Sequence, residues 1–233
     1  MRYKGLELDK FQEDAINAIE HNKSVVVSAP TGSGKTLIAD YIIDRDFKKG
    51  IKVIYTAPIK ALSNQKYKDF VNAYGQENVG ILTGDVQKNP DAKILVMTTE
   101  IYRNMVLSND EFVKDISYII FDEIHYINDI ERGYVWEESI IFSGEDVRIL
   151  CLSATIPNAQ EFANWIKAIK KHDVVVVRHD ERPVPLHVSF YDASLGITSL
   201  KDLKDHLELP DYSKLMGGRR PKYGHQQNNR PKY

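Results

Sequence analysis

Residues Ala29-Pro30-Thr31-Gly32-Ser33-Gly34-Lys35-Thr36 place two glycines, a lysine and hydroxyl side chains within one short stretch. A β-branched apolar run, 24–28, precedes it and an apolar-periodic segment, 37–43, follows, so the order reads strand, tight loop, helix. Such a loop can turn successive backbone N–H groups toward one point at the positive end of a helix dipole, which is the chemistry of phosphate binding. Gly32 and Gly34 permit backbone angles and a close approach that a side chain would block. Lys35 is expected to reach the β- and γ-phosphates, and the Thr36 hydroxyl to ligate Mg²⁺. The usual loop begins with glycine where this chain has Ala29, but its Gly-Lys-Thr core and its setting are retained. A surface turn that happens to contain a lysine is the competing explanation, and that setting argues against it.

A second group of candidate residues ends a buried-strand pattern, 117–121, on Asp122-Glu123-Ile124-His125. Two adjacent carboxylates at the end of an apolar strand are expensive unless something cationic sits beside them. Magnesium–ATP would supply that charge, with Asp122 holding the metal and Glu123 orienting and deprotonating the attacking water. The alternative is a pair that caps a following helix. His125 is expected to contact Ser153-Ala154-Thr155, a small polar tripeptide that ends another apolar run, 147–152. A parallel sheet could place that run beside the carboxylate strand.

The elements that must position these groups follow from periodicity. Helical spacing covers 9–22, with Asp9 as N-cap, then about 35–47, 59–73, 99–107, 134–142 and 158–170. Strand patterns lie at 24–28, 52–56, 79–82, 94–98, 117–121, 147–153, 174–177 and the alternating run 186–191. Short β-branched runs alternating with helices predict an α/β fold, a mostly parallel sheet covered on both faces. Ligands in such sheets bind beyond the carboxyl ends of the strands, where the unusual polar residues of this chain fall. The 233 residues suit one large domain with an appendage, and 42% hydrophobic and 27% charged residues are ordinary for a soluble globular protein. The single cysteine, Cys151, excludes an internal disulfide framework and fits a reducing, cytoplasmic (intracellular) setting. No stretch approaches membrane-span length, and the N-terminus has no signal-peptide apolar region. The net charge of −2 hides a tail, 211–233, with six Lys/Arg against one Asp, so global charge decides nothing about nucleic acid.

Taken in order, 29–36, 122–125 and 153–155 resemble the first motor domain of a DExH-type superfamily-two helicase. Tyr55-Thr56-Ala57-Pro58-Ile59-Lys60-Ala61-Leu62-Ser63-Asn64-Gln65-Lys66-Tyr67 is similar to the equivalent segment of superkiller-type RNA helicases. The segments 83–85, 97–105 and 131–137 resemble further blocks of that family, and the likeness covers about residues 6–195. It implies a RecA-like phosphate-loop domain over 1–195, with ATP and Mg²⁺ as cofactors. Gln12 would read the adenine edge, and its bland alternative is an exposed helix glutamine. Pro58, Ile59, Lys60, Thr83, Gly84, Asp85, Thr98, Thr99, Glu100 and Arg103 would grip the backbone of single-stranded nucleic acid, RNA in preference to DNA. Hydroxyls, helix N-terminal amides and scattered cations suit phosphate contacts that read no bases. Thr99 also reads as an N-cap for the helix at 99–107. Ser153 and Thr155 would couple the state of the nucleotide to that grip.

In such motors a second RecA-like domain completes the ATP site with arginine fingers, and nothing after Thr155 resembles its arginine-rich motif. The reading is therefore one half of a motor that binds ATP–Mg²⁺ and barely hydrolyses it alone, the second domain arriving in cis or in trans. A helical or linker segment at 196–210 and a disordered basic tail at 211–233 would follow. That tail carries Arg-Pro-Lys-Tyr twice, and reads either as a linker or as extra non-specific nucleic-acid affinity. The rival readings are a DNA helicase motor of the same superfamily, a phosphate-loop nucleotide-binding regulator completed by a partner, and a structural remnant. The intact Lys35, Thr36, Asp122 and Glu123 speak against the remnant.

Overall fold

A computed structural model describes residues 1–206 except Thr155, Pro183, Leu186 and His187. The expectations for Thr155, for residues 207–210 and for the tail at 211–233 lie outside the described residues. The chain divides into two compact units, Met1–Val184 and a second beginning at Pro185.

The first unit opens with the hairpin β1 (Arg2–Tyr3) and β2 (Leu6–Glu7), then α1 (Lys10–Glu20), β3 (Ser24–Ser28), α2 (Thr36–Lys48), β4 (Lys52–Ala57) and α3 (Lys60–Tyr74). It continues with β5 (Val79–Leu82), β6 (Gln87–Lys88), β7 (Ile94–Thr98), α4 (Thr99–Leu107), β8 (Ile116–Phe121), α5 (Tyr134–Phe142), β9 (Arg148–Ser153), α6 (Ala159–Lys170) and β10 (Val174–Arg178). Eight of these strands form one sheet in the order β10-β3-β9-β8-β4-β7-β5-β6, parallel throughout except where β6 pairs antiparallel to β5. The α/β class with a mostly parallel sheet is thus as expected.

Alternation along the strands explains why helices cover both faces. Val25, Val27, Val53, Tyr55, Tyr118 and Ile120 pack with Ile19, Ile42 and Phe70 from α1, α2 and α3. Their neighbours Val26, Ile54, Ile119, Phe121 and Cys151 pack on the opposite face with Tyr102, Trp136 and Ala163 from α4, α5 and α6. Each fully buried aliphatic side chain contributes about 1.5–3 kcal/mol. Burial of both faces is also why these strands read as continuous apolar runs rather than alternating ones.

The helix ends follow local chemistry. Asp9 caps α1, and the Gln12 side chain accepts from the Asp9 N–H at 3.0 Å, closing a capping box. Lys48, Lys49 and Gly50, with φ at +74° for the glycine, terminate α2 as their order predicts. At α4 the expectation needs correcting. Thr98 is the N-cap and Thr99 the first helical residue, fully buried with an unpartnered Oγ1.

At the far end of α6, Lys170 is buried and donates to the Ile141 and Ser143 carbonyls near the end of α5. Burial pushes its amine down to about 8. The unfolded amine titrates near 10.5, so between those values the unfolded chain holds the extra proton and stability rises with pH. Relative to Lys170→Met, the parent is expected to gain about 1–3 kcal/mol between pH 7.5 and 10. Urea midpoints at both pH values test this, and a pH-independent difference contradicts it.

In the second unit, β11 (Phe190–Asp192) pairs antiparallel with β12 (Gly196–Thr198), and α7 (Leu200–His206) follows. Of the alternating run expected at 186–191, Phe190 and Tyr191 lie in β11, while Leu186 and His187 lie outside the described residues.

Candidate nucleotide and strand-binding site

The site segments follow the carboxyl ends of β3, β4, β5, β7, β8 and β9, so they gather along one end of the sheet. The strand β9 lies between β3 and β8, with Ser28 opposite Ser153 and Phe121 opposite Cys151. This puts the Ser153 segment between the glycine-rich loop and the acidic pair.

The loop is braced from beneath. The Ala29 N–H donates to the Ser153 carbonyl at 3.2 Å, and the Ser28 hydroxyl accepts from the Ile156 N–H at 2.8 Å. Ala29 is completely buried in the core under α1–α3, so its methyl occupies the interior and leaves the loop free. That disposes of the departure from glycine at this position. Gly32 and Gly34 have φ of +85° and +82°, the left-handed region that glycine adopts without strain. The Ser33 hydroxyl donates to the Pro30 carbonyl at 2.8 Å. Gln12 Nε2 donates to the Gly34 carbonyl at 3.1 Å, which ties α1 to the loop; the glutamine is buried, not exposed.

Lys35 Nζ donates to the Ala29 and Pro30 carbonyls at 2.7 and 2.9 Å. Burial lowers the pKa of its ammonium, while the nearby Glu123 and Asp122 carboxylates oppose that shift. The lysine and the acidic pair therefore share one electrostatic environment. Asp122 is held from two sides, Oδ2 accepting from the Tyr55 hydroxyl and Oδ1 from the Glu123 N–H at 3.0 Å. Glu123 has φ of +51°, rare for a residue with a side chain and worth about 1–3 kcal/mol of strain. Its Oε2 lies 3.2 Å from His125 Nδ1. The expected contact of His125 with Ser153-Ala154-Thr155 falls partly on Thr155, which lies outside the described residues. The left-handed turn at Glu123 starts the short 3₁₀ segment Ile124–Asn128 and brings His125 back to its own neighbour. Ser153 Oγ is buried without a hydrogen-bond partner, an arrangement that costs about 1–3 kcal/mol.

These residues fit a magnesium–nucleotide. No cluster of three or more His, Cys, Asp or Glu that could hold a metal occurs among the described residues. Mg²⁺ needs none, because it takes one or two carboxylates together with substrate phosphates and water. Thr36, the first residue of α2, and Asp122 would be its protein ligands.

A cavity of about 450 Å³ lies beside this site, lined by Pro58, Ile59, Lys60, Gly84, Thr98, Glu100, Ile101 and Arg132. It draws together three of the expected strand-gripping segments. The other candidates sit around it. Asp85 pairs with Lys60, Thr83 Oγ1 accepts from the Val86 N–H at 3.2 Å, and Thr99 is buried. Arg103 faces α5 instead, bonding Glu138 at 2.5 Å and lying 5.1 Å over the Tyr134 ring. Sequence reasoning had missed Arg132. Its Nη2 donates to the Pro58 carbonyl at 3.0 Å and to Glu100. The only signal was its place within the block at 131–137.

A parallel sheet with a phosphate-type loop on one strand and an acidic pair on a nearby one is the arrangement of a RecA-like, phosphate-loop nucleotide-binding fold. The chain belongs to the DEAD/DEAH box helicase family, whose pattern matches residues 9–162. It is 48% identical over 202 residues to "Antiviral helicase SKI2" of Saccharomyces cerevisiae, covering 87% of this chain and 16% of that protein. It is 52% identical over 180 residues to "Superkiller complex protein 2" of Homo sapiens, covering 77% and 14%. Against "ATP-dependent RNA helicase mtr4" of Schizosaccharomyces pombe, identity is 46% over 218 residues, covering 93% and 19%. The chain thus spans less than a fifth of these relatives' lengths, and the likeness is to the first motor domain of the superkiller type. Among solved structures, the Pyrococcus furiosus Hef helicase domain superposes with a TM-score of 0.56 at 26% identity, covering 74% of this chain and 38% of that one. The fold is also that of the helicase MrfA bound to DNA and AMPPNP, with a TM-score of 0.62 at 19% identity, covering 89% and 32%. Among the described residues no helix is long and apolar enough to cross a membrane.

Proposed function

We propose that this chain is the ATP-binding half of an ATP-dependent DExH-box RNA helicase, binding ATP–Mg²⁺ at 29–36 and gripping single-stranded RNA in the neighbouring groove. The observation that carries the reading is the convergence of Lys35, Asp122 and Glu123 at one sheet end, beside the cavity of Lys60, Gly84, Thr98 and Arg132. Bound Mg²⁺ would neutralise charge on the phosphates. The loop amides orient the triphosphate, and Lys35 exchanges two backbone carbonyls for phosphate oxygens. Glu123 accepts the proton of the attacking water, with His125 fixing that carboxylate at 3.2 Å. Gln12 reads the adenine from its place against Gly34. The unpaired hydroxyl of Ser153, with Thr155, couples nucleotide state to strand grip.

Lys60 and Arg132 are partly exposed and paired with Asp85 and Glu100, weak contacts that a nucleic-acid phosphate can replace at little cost. A second RecA-like domain, in cis or in trans, is the partner that would supply arginine fingers, each worth about 10³–10⁵ in turnover. The 233-residue chain alone is accordingly expected to turn over little ATP. Relatives that carry the name RNA helicase support the reading of the strand as RNA. Fluorescence titration of matched single-stranded RNA and DNA tests the reading, with RNA expected to bind more tightly. Arg132→Ala is expected to weaken RNA binding and to reduce the salt slope by about 1. Tighter binding to DNA would move the assignment to a DNA motor, and no binding to either would leave a nucleotide-dependent regulator.

A further inference from the structure

The function proposed above gives Tyr55 no role, yet this side chain of a central strand hydrogen-bonds directly to the acidic pair. It is completely buried on β4, and its hydroxyl donates to Asp122 Oδ2 across a separation of 67 residues. The strand pairing makes this contact possible. Tyr55 lies opposite Ile120 and Thr56 opposite Phe121, and the Asp122 N–H then donates to the Thr56 carbonyl at 3.0 Å. One strand thus holds both the backbone and the side chain of Asp122. The ring itself is locked by Phe70 of α3, edge-on with centroids 5.5 Å apart, while Lys66 Nζ sits 5.9 Å from its centre.

An unrestrained carboxylate here could rotate toward the Lys35 ammonium and away from the Glu123 carboxylate. With Oδ2 engaged by the phenol and Oδ1 by the Glu123 N–H, Asp122 has one orientation, and each oxygen keeps a lone pair free. A hydroxyl held by packing, donating to a carboxylate that must bind a metal, is how an outer-shell residue orients a ligand. We infer that Tyr55 is a positioning residue for Asp122, pre-setting its carboxylate for the magnesium of a bound nucleotide. This rests on the reading of Asp122 as the metal carboxylate. The same strand leads within three residues to Pro58 in the groove, so a shift of strand grip at Pro58 would be felt at the metal carboxylate through Tyr55.

The test uses Tyr55→Phe, which removes one oxygen and keeps the ring. A fluorescent ATP analogue is titrated into parent and variant without divalent metal, and Mg²⁺ is then titrated into the saturated complexes. The expected result is metal-free nucleotide affinity unchanged within twofold and a Mg²⁺ half-saturation point raised about tenfold. Asp122→Asn serves as the reference and is expected to lose most of the metal response. If Asp122→Asn responds to Mg²⁺ like the parent, the assignment of Asp122 fails and the inference falls with it. If Asp122→Asn loses the response while Tyr55→Phe keeps it in full, only the role of Tyr55 is overturned. Equal losses of metal-free and metal-dependent affinity in Tyr55→Phe also overturn it, since the tyrosine would then support the site as a whole.

Discussion

Replacing Lys35 with alanine is expected to weaken ATP binding by about two orders of magnitude while leaving the melting temperature unchanged or slightly raised. The first half follows from charge. The ammonium is the cation placed between the loop carbonyls and the acidic pair, and a triphosphate facing Asp122 and Glu123 without it meets net repulsion. Charge-assisted contacts to phosphate are worth about 1.5–3 kcal/mol each, so losing two at the lower figure already costs about a hundredfold. The second half follows from burial. Half-buried and with its pKa lowered, the lysine is held at some cost to the folded state, and its removal relieves that cost. Calorimetric titration and a thermal melt check both halves on one sample. A variant that binds ATP as well as the parent returns the chain to the remnant reading.

Gly133→Ala is expected to produce the largest loss of stability at the edge of the site. A Cβ built there would lie 2.3 Å from the Ile127 carbonyl oxygen and 2.7 Å from that of Asp129. Both are backbone atoms, so relief requires moving the turn that follows the acidic pair. The glycine has φ of −54°, which any residue adopts, so the penalty is packing and not backbone strain. Overpacking of this kind costs about 1–3 kcal/mol, and lowers the melting temperature by about 3–10 °C in a domain of this size. Because Arg132 precedes it, RNA affinity is expected to fall as well. Gly144→Ala is the control, since its Cβ meets only Val147 Cγ2 at 3.4 Å and a change within about 0.5 kcal/mol is expected. Equal melting temperatures for the two variants would show that the turn yields easily.

The parts of this molecule that were readable in advance are those written locally. The run 94–98 matches β7, and 99–107 and 134–142 match α4 and α5 residue for residue, because burial on both faces makes strands apolar and helices periodic. The positions of the loop at 29–36 and of the pair at 122–123, at the ends of β3 and β8, were readable because each is carried by adjacent residues. Contacts set by sheet register were not. Tyr55 reaches Asp122 and Arg132 reaches Pro58 over 67 and 74 residues, and no spacing within either segment points to its partner. The approach of His125 to Glu123 was hidden for a related reason. The left-handed Glu123 turns the chain back on itself, and glutamate gives no sign of that conformation. The hairpin of β1 and β2 is too short for any period, though Lys4 and Gly5, both with positive φ, carry its turn.

The central claim is that the loop and the acidic strand end share one nucleotide and one metal. It is tested most directly by a crystal structure of the chain with a non-hydrolysable ATP analogue and Mn²⁺ in place of Mg²⁺, read in an anomalous difference map. The account predicts a single strong peak between Thr36 Oγ1 and the Asp122 carboxylate, with Lys35 drawn from the Ala29 and Pro30 carbonyls onto the phosphates. A nucleotide bound elsewhere, or a metal peak away from Thr36 and Asp122 while Lys35 keeps its two carbonyls, would contradict it.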